Sequence, residues 1–373
     1  MILILLKVGL VISKLENEKL LNDAVTLDNY DGLHPEQLVE FLSQHLTDFP
    51  NKTLEISQFS TGLSNLTYLI RSGEWEAVLR RPPLGELPPK AHDMKRESEF
   101  LAKIHPFFNL VPKPYIFCDD REVIGAPFYV MERKHGIVLD DSFPEGIEVT
   151  DKLCKQISHS TVDALAQLHS VDYKEANLSG FGYPDGFLHR QVNGMIKRYR
   201  NYQTEAIPCF EPLAKWFLEN IPTPEHTSII HNDYKLNNML FSENCTTIQA
   251  ILDWEISTVA DPFFDLGTAL GYWLEEEDPH YLKESLPSIS AMPGFINREE
   301  FLHRYSLKTG KDIPNMSFYM AITYFKFAVV LQQIYYRWRT GQNNDERFEG
   351  LRDKIKNLMY HSFEITKNKK FIV

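Results

Sequence analysis

The sequence predicts an α+β protein of two lobes, a strand-rich N-lobe followed by a larger and mainly helical C-lobe. Three observations predict it. The chain has 373 residues, more than the ~250–300 at which a single core stops growing. Clusters of β-forming residues separated by turn residues fill the stretch up to about Arg133. Beyond it, apolar residues recur three and four apart, the period of a helix with one buried face. The expected division is an N-terminal extension over residues 1–30, an N-lobe with a five-stranded sheet and helices over 31–133, and a C-lobe over 134–373.

Taken in order, "MILILLKVGLVIS" opens the chain with an apolar run of about a dozen residues, too short for the ~20 that a membrane helix needs. Its lysine interrupts the run and no small-residue cleavage site follows, so neither a signal peptide nor an anchor is expected. "LHPEQLVEFLSQHL" (Leu33–Leu46) has helical apolar spacing, with Pro35 placed for the first turn. Strands are expected at "LEISQF", "LTYLIRS" and "EAVLRR" (Leu54–Phe59, Leu66–Ser72, Glu76–Arg81), parted by the turn-formers "STGLSN" and "GEW". "KAHDMKRESEFLAKIH" lacks Gly and Pro and reads as a helix, and "PYIFCDD" and "APFYVMER" supply two more strands. A hinge is expected over Met131–Gly136. After it, "CKQISHSTVDALAQLHSVD", "HRQVNGMIKRYRNY" and "EPLAKWFLENI" read as helices and "TIQAILDW" as a strand. From Pro262 onward the pattern is mostly helical. "MSFYMAITYFKFAVVLQQIYYRW" is long and apolar, but Lys326, Gln332, Gln333 and Arg337 mark it as a buried core helix.

With 51 acidic and 39 basic residues the formal net charge is -12, which argues against nucleic acid as a partner, since phosphate backbones are gripped by basic stripes. The acidity would suit a cationic substrate, although an ordinary acidic protein has the same balance. Cys118, Cys154, Cys209 and Cys245 form no C-x-x-C pair, so a zinc site of the usual spacing is not expected. Scattered thiols suit a reducing, cytoplasmic compartment. Nothing in the chain signals an obligate protein partner.

The chemistry concentrates in "IIHNDYKLNNMLF" (Ile229–Phe241) and "ILDWE" (Ile251–Glu255). Asp233 is followed five residues later by Asn238, and Asp253 comes fifteen residues after that, at the end of an apolar strand. Strands and turns in that order would bring the three side chains together. A carboxylate with an amide and a second carboxylate is a hard oxygen set that suits Mg²⁺ holding phosphate. Phosphoryl transfer needs such parts, an Asp to orient or deprotonate the attacking hydroxyl and an Asn and Asp for the metal. Lys235 would reach the moving phosphoryl group and offset its charge.

H-x-D-x-x-x-x-N followed by Asp-Trp resembles the aminoglycoside phosphotransferase and choline kinase branch of the protein-kinase-like fold, and "ADPFFDLG" (Ala260–Gly267) is similar to a further stretch of that branch. The likeness runs from about Leu54 to the last helix. "LHRQVNGMIKRY" and "VLQQIYYRWRTG" look like the kinase-like domain that animals fuse to acyl-CoA dehydrogenases and that bacteria carry alone. Because that fold uses up the chain, no dehydrogenase module is expected within it. The resemblance implies an ATP- and Mg²⁺-dependent kinase acting on a small-molecule hydroxyl, with a hydroxyacyl compound, free or on CoA, as one acceptor class. It implies Asp233 as base, Asn238 and Asp253 as metal ligands, and Ser60, Thr61, Gly62, Ser64 and Asn65 in the loop over the ATP phosphates. Arg80 falls where the superfamily has a phosphate-touching lysine, with Glu97 as its helix partner, and main-chain atoms around Glu132 and Arg133 would meet adenine.

The chain departs from the branch at several points. Its phosphate loop has one glycine, Gly62, and Arg80 replaces a point charge by a fork donor, with Arg81 adjacent as an alternative. Asn232 stands where Gly or Arg is usual, a change expected to be harmless. His231 and Asp265 are expected to brace the loop, and His169 to be a satisfied core histidine. Glu255 is open between metal shell and solvent, Arg80–Glu97 between phosphate contact and surface ion pair. Arg198 and Arg200 are expected on a solvated face. Two other functions stay open: aminoglycoside O-phosphotransfer, which would raise drug tolerance in a susceptible bacterium, and a nucleotide-binding pseudokinase scaffold, which would bind Mg·ATP without transfer. The absence of a D-F-G…A-P-E segment argues against a protein kinase.

Overall fold

Residues 33–50, 52–59, 65–83, 92–342 and 345–367, with the backbone of 24–26, are described by the computed structural model. The N-lobe is built on an antiparallel sheet. In chain order it contains β1 (Ala24–Thr26), α1 (Pro35–His45), β2 (Glu55–Phe59), β3 (Leu66–Ser72), β4 (Trp75–Arg81), α2 (Met94–Ile104), β5 (Pro114–Cys118), the single turn α3 (Arg121–Ile124) and β6 (Phe128–Met131). Among the described residues the sheet has six strands in the order β1-β2-β3-β4-β6-β5, one more than the sequence predicts. The extra strand is β1, which pairs with β2 from Ala24↔Phe59 to Thr26↔Ser57 and lies in the stretch expected to be an extension. Three residues at an edge carry too short a pattern to be read as a strand.

Helices cover both faces of this sheet. Pro35 begins α1 as expected, and Leu38 and Leu42, one turn apart, are its buried face. Asp93 caps α2 by accepting from the Arg96 N–H, and Met94, Glu97, Phe100, Leu101 and Ile104 face inward at helical spacing. The core does not divide where the lobes do. Leu38, Leu42, Ile56, Ile70 and Leu79 form a small cluster under α1. The other face, with Val78, Phe100, Tyr129 and Met131, belongs to one large cluster that continues through the C-lobe.

Past Met131 the chain enters β7 (Ile137–Val138), which pairs with Leu240 and Phe241. Gly136 is needed there because a Cβ would lie 2.5 Å from the Phe241 carbonyl oxygen. The C-lobe continues with α4 (Asp151–Ser170), α5 (Phe187–Tyr202), α6 (Phe210–Glu219), β8 (Ser228–Ile230), β9 (Met239–Phe241), β10 (Ile248–Ile251), β11 (Thr258–Ala260), α7 (Pro262–Tyr272), α8 (His280–Ser285), α9 (Arg298–Thr309), α10 (Ser317–Arg339) and α11 (Leu351–Lys367). Two small antiparallel sheets, β10-β9-β7 and β11-β8, sit among these helices. The 23-residue α10 is buried along nearly its whole length, as its apolar sequence requires. Among the described residues no helix is long and apolar enough to cross a membrane; the apolar "MILILLKVGLVIS" lies outside them.

Candidate active site

Strands β8 and β9 flank the loop that carries Asp233, and its shape is set by one buried carboxylate. Asp265, in the first turn of α7, accepts from the His231 N–H and the Asn232 N–H, each at 2.7 Å. His169 Nε2 reaches the same carboxylate at 3.2 Å, and the Tyr305 hydroxyl lies 2.7 Å from its Nδ1. His169 is therefore a satisfied core histidine that also holds Asp265 in place. Burial works against charge on Asp265, yet His169, His231 and the backbone donor hold its carboxyl below the usual range.

The loop residues follow from this brace. Asn232 adopts φ +73, in the left-handed region where Asn and Gly are tolerated best, so its place in a position usually held by Gly has a steric basis. His231 is fully buried, accepts from the Asp233 N–H at Nδ1 and donates from Nε2 to the Leu252 carbonyl at 2.8 Å. It braces the loop, as expected, and packs edge-on against Trp254.

Asp233 lies at the centre, 8% exposed. Its Oδ2 accepts from Asn238 Nδ2 at 3.0 Å and lies 3.4 Å from Lys235 Nζ. Its Oδ1 accepts from the Tyr272 hydroxyl at 3.0 Å. Burial opposes its charge, but Lys235 and Lys326 outweigh burial and hold the carboxyl below its usual range. Lys326 lies on α10 and donates to the Asn232 carbonyl at 2.6 Å.

Asn238 commits its amino group to the Asp233 carbonyl and carboxylate, at 2.9 and 3.0 Å. That orientation leaves the amide oxygen as the end offered to a cation. Asp253 follows β10 and takes φ +66, a conformation that turns the chain sharply before a short 3₁₀ turn and is costly for a residue with a Cβ. An amide oxygen and a carboxylate fit a hard, oxygen-preferring ion such as Mg²⁺, which keeps waters and phosphate oxygens as its other ligands. Among the described residues there is no cluster of three or more His, Cys, Asp or Glu that could hold a metal ion.

Across from this loop, Arg80 projects from β4. Its guanidinium contacts Glu97 Oε1 at 2.6 Å, Glu255 Oε2 at 3.2 Å and Asp253 Oδ1 at 3.4 Å. Arg80 and Glu97 are 6% and 2% exposed, which rules out a surface ion pair. Burial pushes the Glu97 carboxyl up against the pull of Arg80. Arg81, the neighbouring position on a strand, faces the other side of the sheet and donates to the Ile124 carbonyl. Strand alternation thus puts Arg80, and not Arg81, on the side of Asp253 and Glu255. Glu255 neither faces open solvent nor stands alone: it accepts from Asn65 Nδ2 at 2.9 Å and meets Arg80.

Ser60, Thr61, Gly62 and Ser64 lie outside the described residues. In the expected adenine segment, the Glu132 N–H is committed to the Lys113 carbonyl at 2.8 Å, so adenine would need other main-chain groups there, and the Arg133 side chain pairs with Glu76 at 2.6 Å. Arg200 is exposed and paired with Glu211, as a solvated residue should be, whereas Arg198 on the same helix is half-buried.

Sequence reasoning missed Tyr272 and Lys326. Tyr272 stands seven residues after Asp265 in α7, two helical turns, so both project from one face toward the loop. That spacing would have found it. Lys326 is a lone cation in an apolar stretch, noticed only as an argument against a membrane span.

Residues 55–287 match the model of the phosphotransferase enzyme family. The chain is 34% identical over 316 residues to human acyl-CoA dehydrogenase family member 11, covering 83% of this chain and 40% of that protein. It thus spans about two fifths of the length of that relative. Among solved structures, an aminoglycoside phosphotransferase by assignment, from Ralstonia eutropha, superposes with a TM-score of 0.78 at 28% identity, covering 90% of this chain and 98% of the other. A spectinomycin phosphotransferase in complex with ADP and spectinomycin shares the fold at 13% identity and a TM-score of 0.56, covering 90% and 98%. The chain belongs to the phosphotransferase enzyme family, and its α+β, two-lobed architecture is the kinase-like one.

Proposed function

We propose that this protein transfers the γ-phosphoryl group of ATP to a hydroxyl of a small molecule. The observation that carries the reading is the buried Asp233 carboxylate, kept ionised by neighbouring cations and fixed by Asn238. A carboxylate so placed can orient the acceptor's hydroxyl and take its proton as the oxygen attacks phosphorus. Asn238 and Asp253 would hold Mg²⁺, which when bound supplies charge neutralisation to the phosphates. Lys235, beside Asp233, would offset charge on the moving phosphoryl group. Arg80, held by Glu97, would take the phosphate-facing place, and Asn65, bonded to Glu255, would join Ser60, Thr61, Gly62 and Ser64 in contacting the ATP phosphates. That the spectinomycin enzyme of this fold binds ADP supports an adenine nucleotide as the donor, and main-chain groups near Glu132 and Arg133 are where adenine would lie.

The relation to acyl-CoA dehydrogenase family members supports a hydroxylated acyl compound as acceptor. Four free, buried cysteines suit a cytoplasmic enzyme, and we read it as needing no nucleic acid, membrane or obligate protein partner. The test is incubation with Mg·ATP and a metabolite extract, followed by mass spectrometry. One compound gaining a phosphoryl group with the native protein, and not with Asp233→Asn, is the expected result. Equal phosphorylation by both would remove Asp233 from the role assigned to it.

A second reading, a nucleotide-binding scaffold without transfer, draws on Arg80. Its fork is engaged by Glu97, Asp253 and Glu255 together. Mg·ATP binding in calorimetry with no phosphorylated product from a broad metabolite panel would favour it. Aminoglycoside phosphotransfer predicts raised drug tolerance on expression in a susceptible bacterium.

A further inference from the structure

We propose that Tyr272 guards the base: its hydroxyl caps Asp233 Oδ1 while no acceptor is bound, and yields that oxygen to the acceptor's hydroxyl. This rests on the kinase reading above and concerns what keeps water from acting as the acceptor.

The two oxygens of Asp233 are used differently. Oδ2 is turned into the loop, where Asn238 and Lys235 hold it. Oδ1 is met by Tyr272 at 3.0 Å, a donor from a different element. A base acts on a hydroxyl only from hydrogen-bonding distance. With Oδ2 engaged by its own loop, the attacking hydroxyl must come to Oδ1, where Tyr272 now donates. A water molecule entering the same place meets the same competitor.

The cap is held by packing. Helix α7 approaches α10 so closely that a Cβ on Gly267 would lie 2.8 Å from Tyr319 Cβ, and one on Gly271 would lie 2.4 Å from Thr323 Cγ2. That approach sets the Tyr272 ring against Phe327, with centroids 4.4 Å apart and planes at 37°. Lys235 Nζ sits 5.1 Å from the same ring centroid. Burial, with Asp233 adding to it, pushes the phenol well above its ordinary range, so Tyr272 remains a neutral donor. A neutral donor can cap a carboxylate without taking its proton. The aromatic contacts fix the ring, while the hydroxyl hydrogen can rotate away when a better-placed donor arrives.

The step held back is hydrolysis. Water oxygen bonds to the γ-phosphorus, the bond from that phosphorus to the β–γ bridging oxygen breaks, and the water proton passes to Asp233 and on to the released phosphate. The products are ADP and inorganic phosphate. A specific acceptor overcomes the cap because the rest of its contacts hold its hydroxyl at Oδ1, whereas water has none.

The experiment measures Mg·ATP hydrolysis without acceptor, by phosphate release, for the native protein, Tyr272→Phe, and Tyr272→Phe combined with Asp233→Asn. The shift in Tm produced by Mg·ATP is measured for each. The expected result is a rise in hydrolysis on the order of tenfold in Tyr272→Phe, the worth of one hydrogen bond to a charged group, with an unchanged Mg·ATP shift and loss of the rise in the double variant. A merely structural Tyr272 predicts hydrolysis unchanged or lower; that outcome, with Mg·ATP still bound, overturns the proposal and leaves the kinase reading standing. A rise that persists in the double variant also overturns it, since Asp233 is then not the group released. No Mg·ATP shift in any protein removes the kinase reading and this inference with it. Should Tyr272→Phe not fold, Phe327→Leu loosens the same ring, and it too must raise hydrolysis.

Discussion

Replacing Asp265 with Asn tests whether one carboxylate sets the geometry of the loop that carries Asp233. The carboxylate accepts three N–H groups: His231 N and His169 Nε2 at Oδ2, and Asn232 N at Oδ1. Asparagine is nearly the same size but has one acceptor end. Its better orientation puts the amide oxygen toward His231 and His169 and turns its amino group on the Asn232 N–H, donor against donor. Leaving a buried N–H unsatisfied costs about 1–3 kcal/mol, and the two retained bonds lose about 1 kcal/mol each on becoming neutral. The expected loss is therefore about 3–5 kcal/mol of unfolding free energy. Urea unfolding followed by linear extrapolation reads it, with an unchanged slope showing that the comparison is of like states. Besides Asp265, the Asn232 turn at φ +73 is braced by Lys326 at its carbonyl, and losing the two backbone acceptors should let the loop shift, so turnover of ATP with its acceptor should fall as well. A loss below about 1 kcal/mol would refute the reasoning, because the loop would then hold its shape without the acceptor it is said to depend on.

Arg80→Ala leaves the buried Glu97 without its cation and should cost about 3–5 kcal/mol; Arg80→Lys keeps a charge near Glu97 but cannot also span to Asp253 and Glu255, so it should cost distinctly less. Equal losses in urea unfolding would remove the fork from the account. His361 is held down to about 4 by burial beside Tyr281 and Tyr324. The unfolded chain then binds the extra proton below about pH 6.5 while the folded protein does not, so stability present above that pH is lost as pH falls toward 4. At pH 5 the loss through this group is about 2 kcal/mol, seen as a steeper fall in urea midpoint between pH 7 and 5 for the native protein than for His361→Gln; parallel profiles would exclude it.

What was legible in the sequence and what was not divides by the range of the contact. Asp233, Lys235 and Asn238 share one loop, and Asp253 lies two residues past the strand that pairs beside it, so their closeness along the chain was legible from spacing, and their roles from the resemblance. The long apolar α10 and the amphipathic α1 and α2 were readable from period. The Asn65–Glu255 bond joins residues 190 apart, and no local pattern encodes such a pairing. Strands β1 and β7, of three and two residues, contain β-formers but are too short to carry a readable alternation, and it is their partners that define them. Two further features are encoded locally. Alternation on β4 separates Arg80 from Arg81 without any structure, and the seven-residue interval from Asp265 puts Tyr272 on the loop-facing side of α7.

That last interval matters beyond legibility. Helix α7 delivers two side chains to one loop, and they act on it differently. Asp265 accepts from the backbone and fixes where the loop runs. Tyr272 donates to the side chain that the loop exists to present. Because a rigid helix carries both, the position of Asp233 and the cap on it cannot drift independently, and the two glycines that seat α7 on α10 hold the pair at a single depth. The base and the group that competes for it are thereby registered by one packing contact, lying outside the motif by which the loop is recognised.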